Sequence, residues 1–277
     1  FYNLTGKPVL NRCVFTENRS AQDGGGMQND AGSPTLTGCI FANNFAGDEG
    51  GGICNEDNKA PPLNPALTNC VFVGNAANGH GGAICNDQSS PRLTNCTFSG
   101  NVADQGGGMH SNGGGAATVT NCIFWLDSPD EIYGGDAAAT VTHSDIQGGR
   151  SGDGNIDADP CFAKMGYRDP NGTPGEAADD FWVDGDYRLK SQGGRWDANE
   201  GRWTRDEVTS PCIDAGDPMG PIGYEPFPNG GIINMGAYGG TVEASKSYFG
   251  EPLCQTIVAG DINGDCKIDL KDFAIMG

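Results

Sequence analysis

The phrase Leu67-Thr68-Asn69-Cys70-Val71-Phe72 decides the fold, because it recurs along the first half of the chain with small changes. The other copies occupy residues 10–15, 36–41, 93–98 and 119–124. The cysteines of successive copies are 26, 31, 26 and 26 residues apart. Self-similarity at such a period is typical of a stacked repeat protein rather than of a closed globule.

Each copy alternates in steps of two residues, as a short β-strand does. Cys13 and Phe15 are two residues apart and so share one face of a strand, whereas Val14 points the other way. Glycine, asparagine, proline and serine separate these pieces, as turns require. No window carries the apolar spacing of an amphipathic helix. The position between Cys and Phe is β-branched in every copy, which favours strands: Val14, Ile40, Val71, Thr97 and Ile123.

A second phrase keeps nearly the same step and adds another set of equivalent residues. Glycine-rich runs lead into Met27, Ile53, Ile84 and Met109, and Asn29, Asn55 and Asn86 follow two positions later. Coils of a parallel β-helix lie about 4.8 Å apart, so that equivalent residues stack. The sequence therefore predicts an interior filled by cysteine, phenylalanine and methionine/isoleucine ladders. The longer step before Cys70 is explained by a loop at residues 58–62.

These phrases, Gly-Gly-Gly-[Met/Ile] and Asn-Cys-x-Phe-x-x-Asn, resemble the polymorphic-outer-membrane-protein-like repeats of right-handed parallel β-helix proteins. The resemblance covers about the first 145 residues. It implies an all-β, right-handed parallel β-helix, with regular coils over residues 1–149. Later phrases, such as Asn155-Ile156-Asp157 and Asn234-Met235-Gly236, resemble the C-terminal coils of planctomycete-type secreted proteins. That likeness implies irregular coils and an end cap over residues 150–250.

The composition limits the partners. The chain of 277 residues has 16 basic and 36 acidic residues, a net charge of −20. Such a surface repels nucleic acid and anionic membranes and favours divalent cations. The sequence contains neither an apolar run of transmembrane length nor a signal peptide. Because it begins at Phe1 rather than at Met, we expect that an N-terminal segment was removed or left out.

The 11 cysteines fall into three groups. Five belong to the repeat phrase and are predicted to be reduced interior residues. Cys54 and Cys85 are equivalent residues of adjacent coils, within reach of a disulfide, although we expect free thiols there. The remaining four lie outside the ladders and are disulfide candidates, with Cys254–Cys266 and Cys161–Cys212 as the pairs.

Residues 261–272 have the ligand spacing of a calcium loop. The predicted ligands are Asp261, Asn263, Asp265, Asp269 and Asp272, with the carbonyl oxygen of Lys267 as a further one. The stretch resembles one half of a type I dockerin, and residues 271–276 would begin its helix. Cys266 replaces the usual glycine and the second calcium repeat is missing, so the stretch departs from the full dockerin pattern. The resemblance implies a cohesin-like partner. Residues 251–277 are therefore predicted to be a calcium-binding segment.

Two other groups are candidates for ligand contact. The turns before each Met or Ile carry polar residues that would hold calcium or sugar, or would simply be solvated: Asp23, Asp48, Glu49, His80 and Asp104. Trp196 and Trp203 lie in the only aromatic and basic cluster of the chain. They would stack on a sugar or a partner; the alternative is that this insert packs over the flank of the solenoid.

Parallel β-helices often act on acidic polysaccharides, so an enzyme is a candidate function. Lyases of this fold need a base beside a calcium-bound uronate, and hydrolases need paired carboxylates. The basic residues are scattered, and His80, His110 and His143 occur in different registers, so no nucleophile–base pair is predicted. The sequence favours a secreted, non-catalytic structural or adhesive protein of the cell surface or extracellular matrix. The alternative is a polysaccharide lyase or glycoside hydrolase.

The start of the sequence suggests a further partner. Phe1 aligns with Met27, so the sequence opens within a coil. Exposed strand edges recruit other chains. We expect either that copies stack end to end into a fibre, or that the chain is part of a longer protein whose preceding coils cover Phe1.

Overall fold

A computed structural model describes residues 1–56, 64–112, 114–134, 139–169 and 181–250. The repeats form a parallel β-solenoid of about five turns, as predicted. None of the described residues lies in a helix. The solenoid strands, in chain order, are β1 Tyr2–Leu4, β2 Val9–Asn11, β3 Val14–Thr16, β4 Arg19–Ser20, β5 Met27–Asp30, β6 Thr35–Thr37, β7 Ile40–Ala42, β8 Phe45–Ala46, β9 Ile53–Glu56, β10 Ala66–Thr68, β11 Val71–Val73, β12 Ala76–Ala77, β13 Ile84–Asp87, β14 Arg92–Thr94, β15 Thr97–Ser99, β16 Met109–Asn112, β17 Ala117–Thr120, β18 Ile123–Trp125, β19 Ile132–Tyr133, β20 Ala139–Thr142 and β21 Asp145–Ile146.

Three parallel sheets run along the solenoid, and each coil contributes one strand to each. The first sheet has the order β1-β5-β9-β13-β16-β19, and the second has the order β2-β6-β10-β14-β17-β20. The third is β3-β7-β11-β15-β18-β21, and β4, β8 and β12 form a short fourth sheet. Leu36 pairs with Leu67 across the longest step. The additional residues between them therefore leave the register unchanged.

Identical side chains stack along the interior. Phe41, Phe72, Phe98 and Phe124 are fully buried, and their successive ring centroids are 4.9, 4.8 and 4.1 Å apart. The planes of these rings are within 6° of parallel. Leucine, cysteine and Met/Ile ladders complete this core. The predicted interior ladders are confirmed.

Two asparagine ladders bring polar groups into the interior. Along the first sheet, Asn29 Nδ2 donates to Asn55 Oδ1 at 3.1 Å, and Asn55 Nδ2 donates to Asn86 Oδ1 at 2.9 Å. The second ladder follows the third sheet and contains Asn44, Asn75 and Asn101, which are buried. A buried amide is stable only when its donors and acceptors are paired. Stacking identical amides meets this condition along both ladders until Ser111 and Asp127 replace the asparagine.

The bend between the second and third sheets has left-handed backbone geometry. Asn69, Asn95 and Asn121 have φ values of 53°, 50° and 57°. Asparagine tolerates this region better than most residues, as predicted for this bend. The amide of Asn69 donates to the carbonyl oxygens of Ala237 and Gly239 at 2.9 and 2.8 Å. These side chains therefore hold a distant part of the chain.

Residues 150–158 extend the last coil. The backbone nitrogens of His143 and Ile146 donate to the carbonyl oxygens of Asp153 and Ile156. Asn155 accepts a hydrogen bond from the Ser144 nitrogen and donates one to the Val141 carbonyl. This segment therefore pairs with the end of the regular ladders.

The segment predicted to form irregular coils pairs differently. It contains β22 Phe162–Lys164, β23 Tyr167–Asp169, β24 Phe181–Val183, β25 Asp186–Leu189, β26 Arg195–Asp197 and β27 Arg202–Thr204. These strands form antiparallel pairs: β22 with β25, β23 with β24 and β26 with β27. The segment packs on the outer face of the third sheet, where Cys212, Ile213 and Met235 contact the row that contains Val71 and Ile123. Its apolar residues are buried by this packing rather than by stacking as further coils.

Candidate functional site

The outer face of the first sheet carries a row of thiols and rings. Cys54 pairs with Cys85, Cys85 with His110, and His110 with Tyr133. Side chains in this row point away from the interior because Ile84 and Asn86 point into it. Cys54, Cys85 and His110 are nevertheless only 2, 0 and 3% exposed. This buried row of two thiols and an imidazole is therefore a candidate functional site.

Glu49 joins this row from the preceding turn. Its carboxylate oxygen Oε2 accepts a hydrogen bond from the Cys85 thiol at 3.1 Å. The donor atoms of Glu49, Cys54 and Cys85 all lie within 4.8 Å of one another. The contact with Cys54, followed by burial and the Glu49 charge, raises the pKa of the Cys85 thiol well above its usual range.

The imidazole of His110 lies on the other side of Cys85. Its Nδ1 atom is 3.8 Å from the Cys85 sulfur. The His80 ring stacks on it with centroids 4.5 Å apart, and the Tyr133 ring covers it at 5.2 Å. Burial, followed by the charge of His80, lowers the pKa of His110 to about 4. His110 is therefore a neutral imidazole at neutral pH.

The sequence reasoning missed this association. His80 and His110 do occupy different registers, as predicted, but a turn residue of one coil lies beside a strand residue of the next. The signal was present in the sequence, because the ladder position of Met109 fixes His110 as the equivalent of Cys85. A comparison of neighbouring coils position by position would have found it.

A buried carboxyl pair lies where the second asparagine ladder ends. Oδ1 of Asp127 accepts hydrogen bonds from Asn101, and the Asp127 nitrogen donates to the Glu131 carboxylate at 3.2 and 3.3 Å. Asp127 Oδ2 is buried without a donor in the described structure. Burial raises the pKa of both carboxyls, and that of Glu131 is raised further by the charge of Asp127. Both shifts favour the protonated forms of the two carboxyls.

This pair does not have the geometry of a glycosidase. It borders an open cavity of about 540 Å³ that Pro129, Gln147 and Arg150 also line. Retaining glycosidases separate their two carboxyls by about 5–5.5 Å, and inverting enzymes by about 6.5–9.5 Å. Asp127 and Glu131 are in direct side-chain contact. Their arrangement ends the ladder and leaves no space between the carboxyls for an attacking water.

The outer face of the second sheet carries a threonine ladder in register. Thr37 pairs with Thr68, Thr68 with Thr94, Thr94 with Thr120, and Thr120 with Thr142. Thr37 is exposed and the other four are half-buried. Beside it runs a second outward row, exposed except at half-buried Ala66: Val9, Thr35, Ala66, Arg92, Thr118 and Thr140. The threonine ladder presents hydroxyls at the spacing of the coils, and the second row adds hydroxyls at Thr35, Thr118 and Thr140.

The third sheet has no such free face, because the C-terminal segment covers most of it. The outward residues Val71, Thr97 and Ile123 are buried, and Ala237 N donates to the Thr97 hydroxyl at 2.9 Å. Trp182 lies so close to Gly74 and Gly100 that a Cβ on either would be 2.4 Å from its ring. Glycine is required at these two positions by the approach of the indole.

The predicted contact residues Trp196 and Trp203 are paired in the β26–β27 hairpin. Their ring centroids are 5.6 Å apart at 67°, and the Lys246 ammonium lies 4.3 Å from the Trp203 centroid. One face of Trp203 is therefore occupied by a cation. Ligand stacking on this pair stays a prediction.

The structure describes only some of the predicted disulfide and metal residues. Cys161 and Cys212 are free thiols in the structure, and the Cys212 sulfur donates to Asp145 Oδ2 at 3.0 Å. A disulfide between them stays a prediction. Cys254, Cys266 and the calcium-loop residues Asp261, Asn263, Asp265, Lys267, Asp269 and Asp272 lie outside the described residues. Of the acidic turn residues, Asp23 accepts a hydrogen bond from the Glu49 nitrogen, and Glu49 contacts Cys85.

Residues 38–56 and 69–87 match the Chlamydia polymorphic membrane protein repeat. Each stretch begins at the bend before the third sheet and continues through the first-sheet strand of the same coil. The two coils that provide Glu49, Cys54 and Cys85 are therefore similar to repeats of a surface protein family. No curated protein and no solved structure matches the chain significantly. Within the part of the chain that the structure describes, no helix is long and apolar enough to cross a membrane.

Proposed function

We propose that the chain is a secreted or surface-displayed, non-catalytic β-solenoid that binds polysaccharide through the threonine face of its second sheet. The observation that carries this proposal is the in-register ladder from Thr37 to Thr142 on an uncovered face. The outer face of the third sheet is largely buried by the C-terminal segment, and the described thiol row of the first sheet is buried too. The similarity to a surface-protein repeat supports the location.

The chemistry of the face fits a neutral, hydroxyl-rich ligand. Each threonine hydroxyl is both a donor and an acceptor, and the ladder repeats this pair at about 4.8 Å. The backbone of a parallel sheet holds these groups rigid, so that little side-chain entropy is lost on contact. A polysaccharide chain also repeats its hydroxyls at regular intervals. Many weak contacts along a regular array add up to a useful affinity.

Calcium is proposed to stabilise the tail rather than the solenoid. Calcium requires six to eight oxygen ligands, and residues 261–272 provide them at the required spacing. A net charge of −20 favours cation binding over the whole chain. The loop is separate in sequence from the threonine face.

Self-association is the third component of the proposal. Strands β1, β2 and β3 each pair on one side only within the described chain. Their residues Tyr2, Val9 and Val14 are 62, 67 and 62% exposed. This edge accepts another parallel coil, from a second copy or from another part of a longer protein.

The test is co-sedimentation of the full chain with insoluble neutral polysaccharides. Substituting Thr37→Val and Thr68→Val removes two hydroxyls of the ladder at nearly constant shape. We expect the amount of bound protein to fall about tenfold, which corresponds to roughly 1.4 kcal/mol of binding free energy. Thr16→Val, on the exposed edge of the third sheet, is the control. Equal binding by all variants overturns the proposed face. Release of reducing sugar in the same tubes would instead support a hydrolase, and release of unsaturated uronate from a parallel incubation with an acidic polysaccharide would support a lyase.

A further inference from the structure

Four side chains with metal-binding atoms meet on the outer face of the first sheet. We propose that Glu49, Cys54, Cys85 and His110 bind one divalent transition-metal ion, and that Zn²⁺ is the ion they suit best. This site is independent of the threonine face and of the calcium loop. It uses residues from three consecutive coils and thus joins them across the sheet.

The donor types select the metal. Two thiols, one imidazole and one carboxylate form a set with the soft and borderline ligands that zinc accepts. Calcium and magnesium prefer oxygen ligands alone and would find one carboxylate here. These four residues are therefore suited to a transition metal, whereas the predicted loop of the tail is suited to calcium.

Three of the four donor atoms, those of Glu49, Cys54 and Cys85, already lie near the spacing of tetrahedral coordination, and the imidazole is close to one of them. With Zn–S bonds of about 2.3 Å and Zn–N or Zn–O bonds of about 2.0–2.1 Å, the ligand atoms of one ion lie roughly 3.3–3.8 Å apart. The Cys85 sulfur is 3.1 Å from Glu49 Oε2 and 3.8 Å from His110 Nδ1. Glu49, Cys54 and Cys85 keep all three donor atoms within 4.8 Å. The donor atoms of Glu49, Cys54 and Cys85 need to move by less than about 1 Å to coordinate one ion, and side-chain rotation can provide such a movement.

The sheet itself brings the ligands together. Cys54, Cys85 and His110 are direct partners on neighbouring parallel strands, so their Cα atoms follow the coil spacing of about 4.8 Å. Cys85 is the central residue and contacts both neighbours. The imidazole reaches farther than a thiol and compensates for its position at one end of the row. The ladder thus provides ligands without a dedicated loop.

The surroundings favour an ion over an empty site. Cys54, Cys85 and His110 are 2, 0 and 3% exposed, so that water competes poorly with the protein ligands. Nδ1 of His80, whose ring stacks on His110, is buried and has no hydrogen-bond partner. Stacked rings fix the orientation of the ligating imidazole, as outer partners do in metal sites.

A disulfide between Cys54 and Cys85 is the competing outcome. Directly paired cysteines on adjacent strands fall within the Cα separation of a disulfide. Such a bond would consume both thiols and leave Glu49 and His110 unable to hold zinc alone. Thiol mapping and metal titration on the same preparation separate the two outcomes.

The experiment titrates the full chain with Co²⁺ and then with Zn²⁺. Protein is reduced, stripped with a chelator and returned to buffer without reductant under nitrogen. We expect one Co²⁺ per chain with a near-ultraviolet thiolate-to-metal band, displaced by one Zn²⁺. Binding releases thiol protons, so calorimetric heats must vary with the ionisation enthalpy of the buffer.

Three variants assign the ligands. Cys54→Ser with Cys85→Ser should abolish the thiolate band, and Glu49→Gln should weaken Zn²⁺ by more than about tenfold without removing a thiol. The control is Cys254→Ser with Cys266→Ser, which excludes thiols of the tail and should keep the band. Circular dichroism checks folding. A band that survives loss of Cys54 and Cys85, the absence of binding by the reduced wild type, or an obligatory Cys54–Cys85 disulfide overturns the proposal.

Discussion

Oδ1 of Asp127 accepts both hydrogen bonds that Asn101 directs toward the next coil, at 2.7 Å from the backbone nitrogen and 2.8 Å from Nδ2. Each asparagine of this ladder makes the same pair of contacts, but Asp127 has no amide group with which to continue it. The ladder therefore ends where a carboxylate replaces an amide.

Asn75 tests the strength of this ladder. Its Oδ1 accepts from both nitrogens of Asn44, and its Nδ2 donates to Asn101 Oδ1 and to the Phe41 carbonyl. Asn75→Ala leaves these buried groups unpaired and should lower the free energy of unfolding by about 3 kcal/mol. Exposed Asn78→Ala is the control, with a change within about 0.5 kcal/mol. Urea unfolding measures both, and similar values for the two variants would contradict the account.

Phe72 tests the apolar ladder. Its ring is fully buried between Phe41 and Phe98. Phe72→Ala should cost about 4 kcal/mol because it removes transfer free energy and leaves a cavity between two rings. Tyr224→Ala, at a side chain that is 79% exposed, should change little. Thermal unfolding with the same midpoint in both variants would exclude a structural role for the stack.

The register of the solenoid was predictable, whereas the burial of its outer faces was not. Periodic phrases identified Cys70, Phe72 and Ile84 as interior residues, because stacking makes equivalent residues neighbours. The same pattern correctly pointed Thr97 outward, but it contained no sign that Ala237 would cover it. That contact joins residues 140 positions apart. The covering segment has no sequence repeat from which its packing against the third sheet could be predicted.

In the candidate sites too, some contacts were predictable from the repeat and others were not. The pairing of Cys54 with Cys85 followed from the repeat, and that of Cys85 with His110 could have followed from it. The proximity of Glu49 depends on a turn and on a side-chain rotamer, which a period in sequence does not specify. The tail residues rest on local ligand spacing alone, and their calcium binding stays a prediction.

Asp145 should make stability depend on pH. Burial, as the largest cause, raises its pKa from 3.8 to about 6. The folded state therefore binds a proton more tightly than the unfolded state, and this contribution is present at low pH and lost as pH rises through about 6. We expect a loss of about 2–3 kcal/mol between pH 4 and pH 8 from this group.

Asp145→Asn should reduce that slope, and unfolding curves at several pH values measure it. Asp153→Asn, at an exposed side chain, changes the net charge equally and should preserve the slope. If both variants keep the wild-type dependence, another group is responsible.

The tail should bind one calcium ion. Asp265→Ala removes a ligand at the fifth loop position and should weaken binding by more than about tenfold, because calcium affinity follows the count of charged ligands. Isothermal calorimetry on the full chain provides the measurement. Asp153→Ala is the matched control for loss of one negative charge. Identical isotherms for the two variants would locate calcium elsewhere.

The open edge of the first coil should support association. Val9→Lys with Val14→Lys places charges on exposed edge strands and should shift any oligomer toward monomer in sedimentation experiments. Val242→Lys, at an equally exposed valine, is the control. A wild type that remains monomeric at high concentration with calcium, and unchanged by a chelator, would remove the stacking hypothesis.

The in-register pairing of Leu67 with Leu36 on one side and Leu93 on the other has an evolutionary consequence. A coil that contacts near-identical coils above and below is interchangeable with its neighbours, so tandem duplication of a gene segment encoding 26 residues adds a turn that fits both sides. The 31-residue step shows that a coil also accepts added residues without losing its alignment. Coils and surface loops can thus be added without any change in the interior ladders.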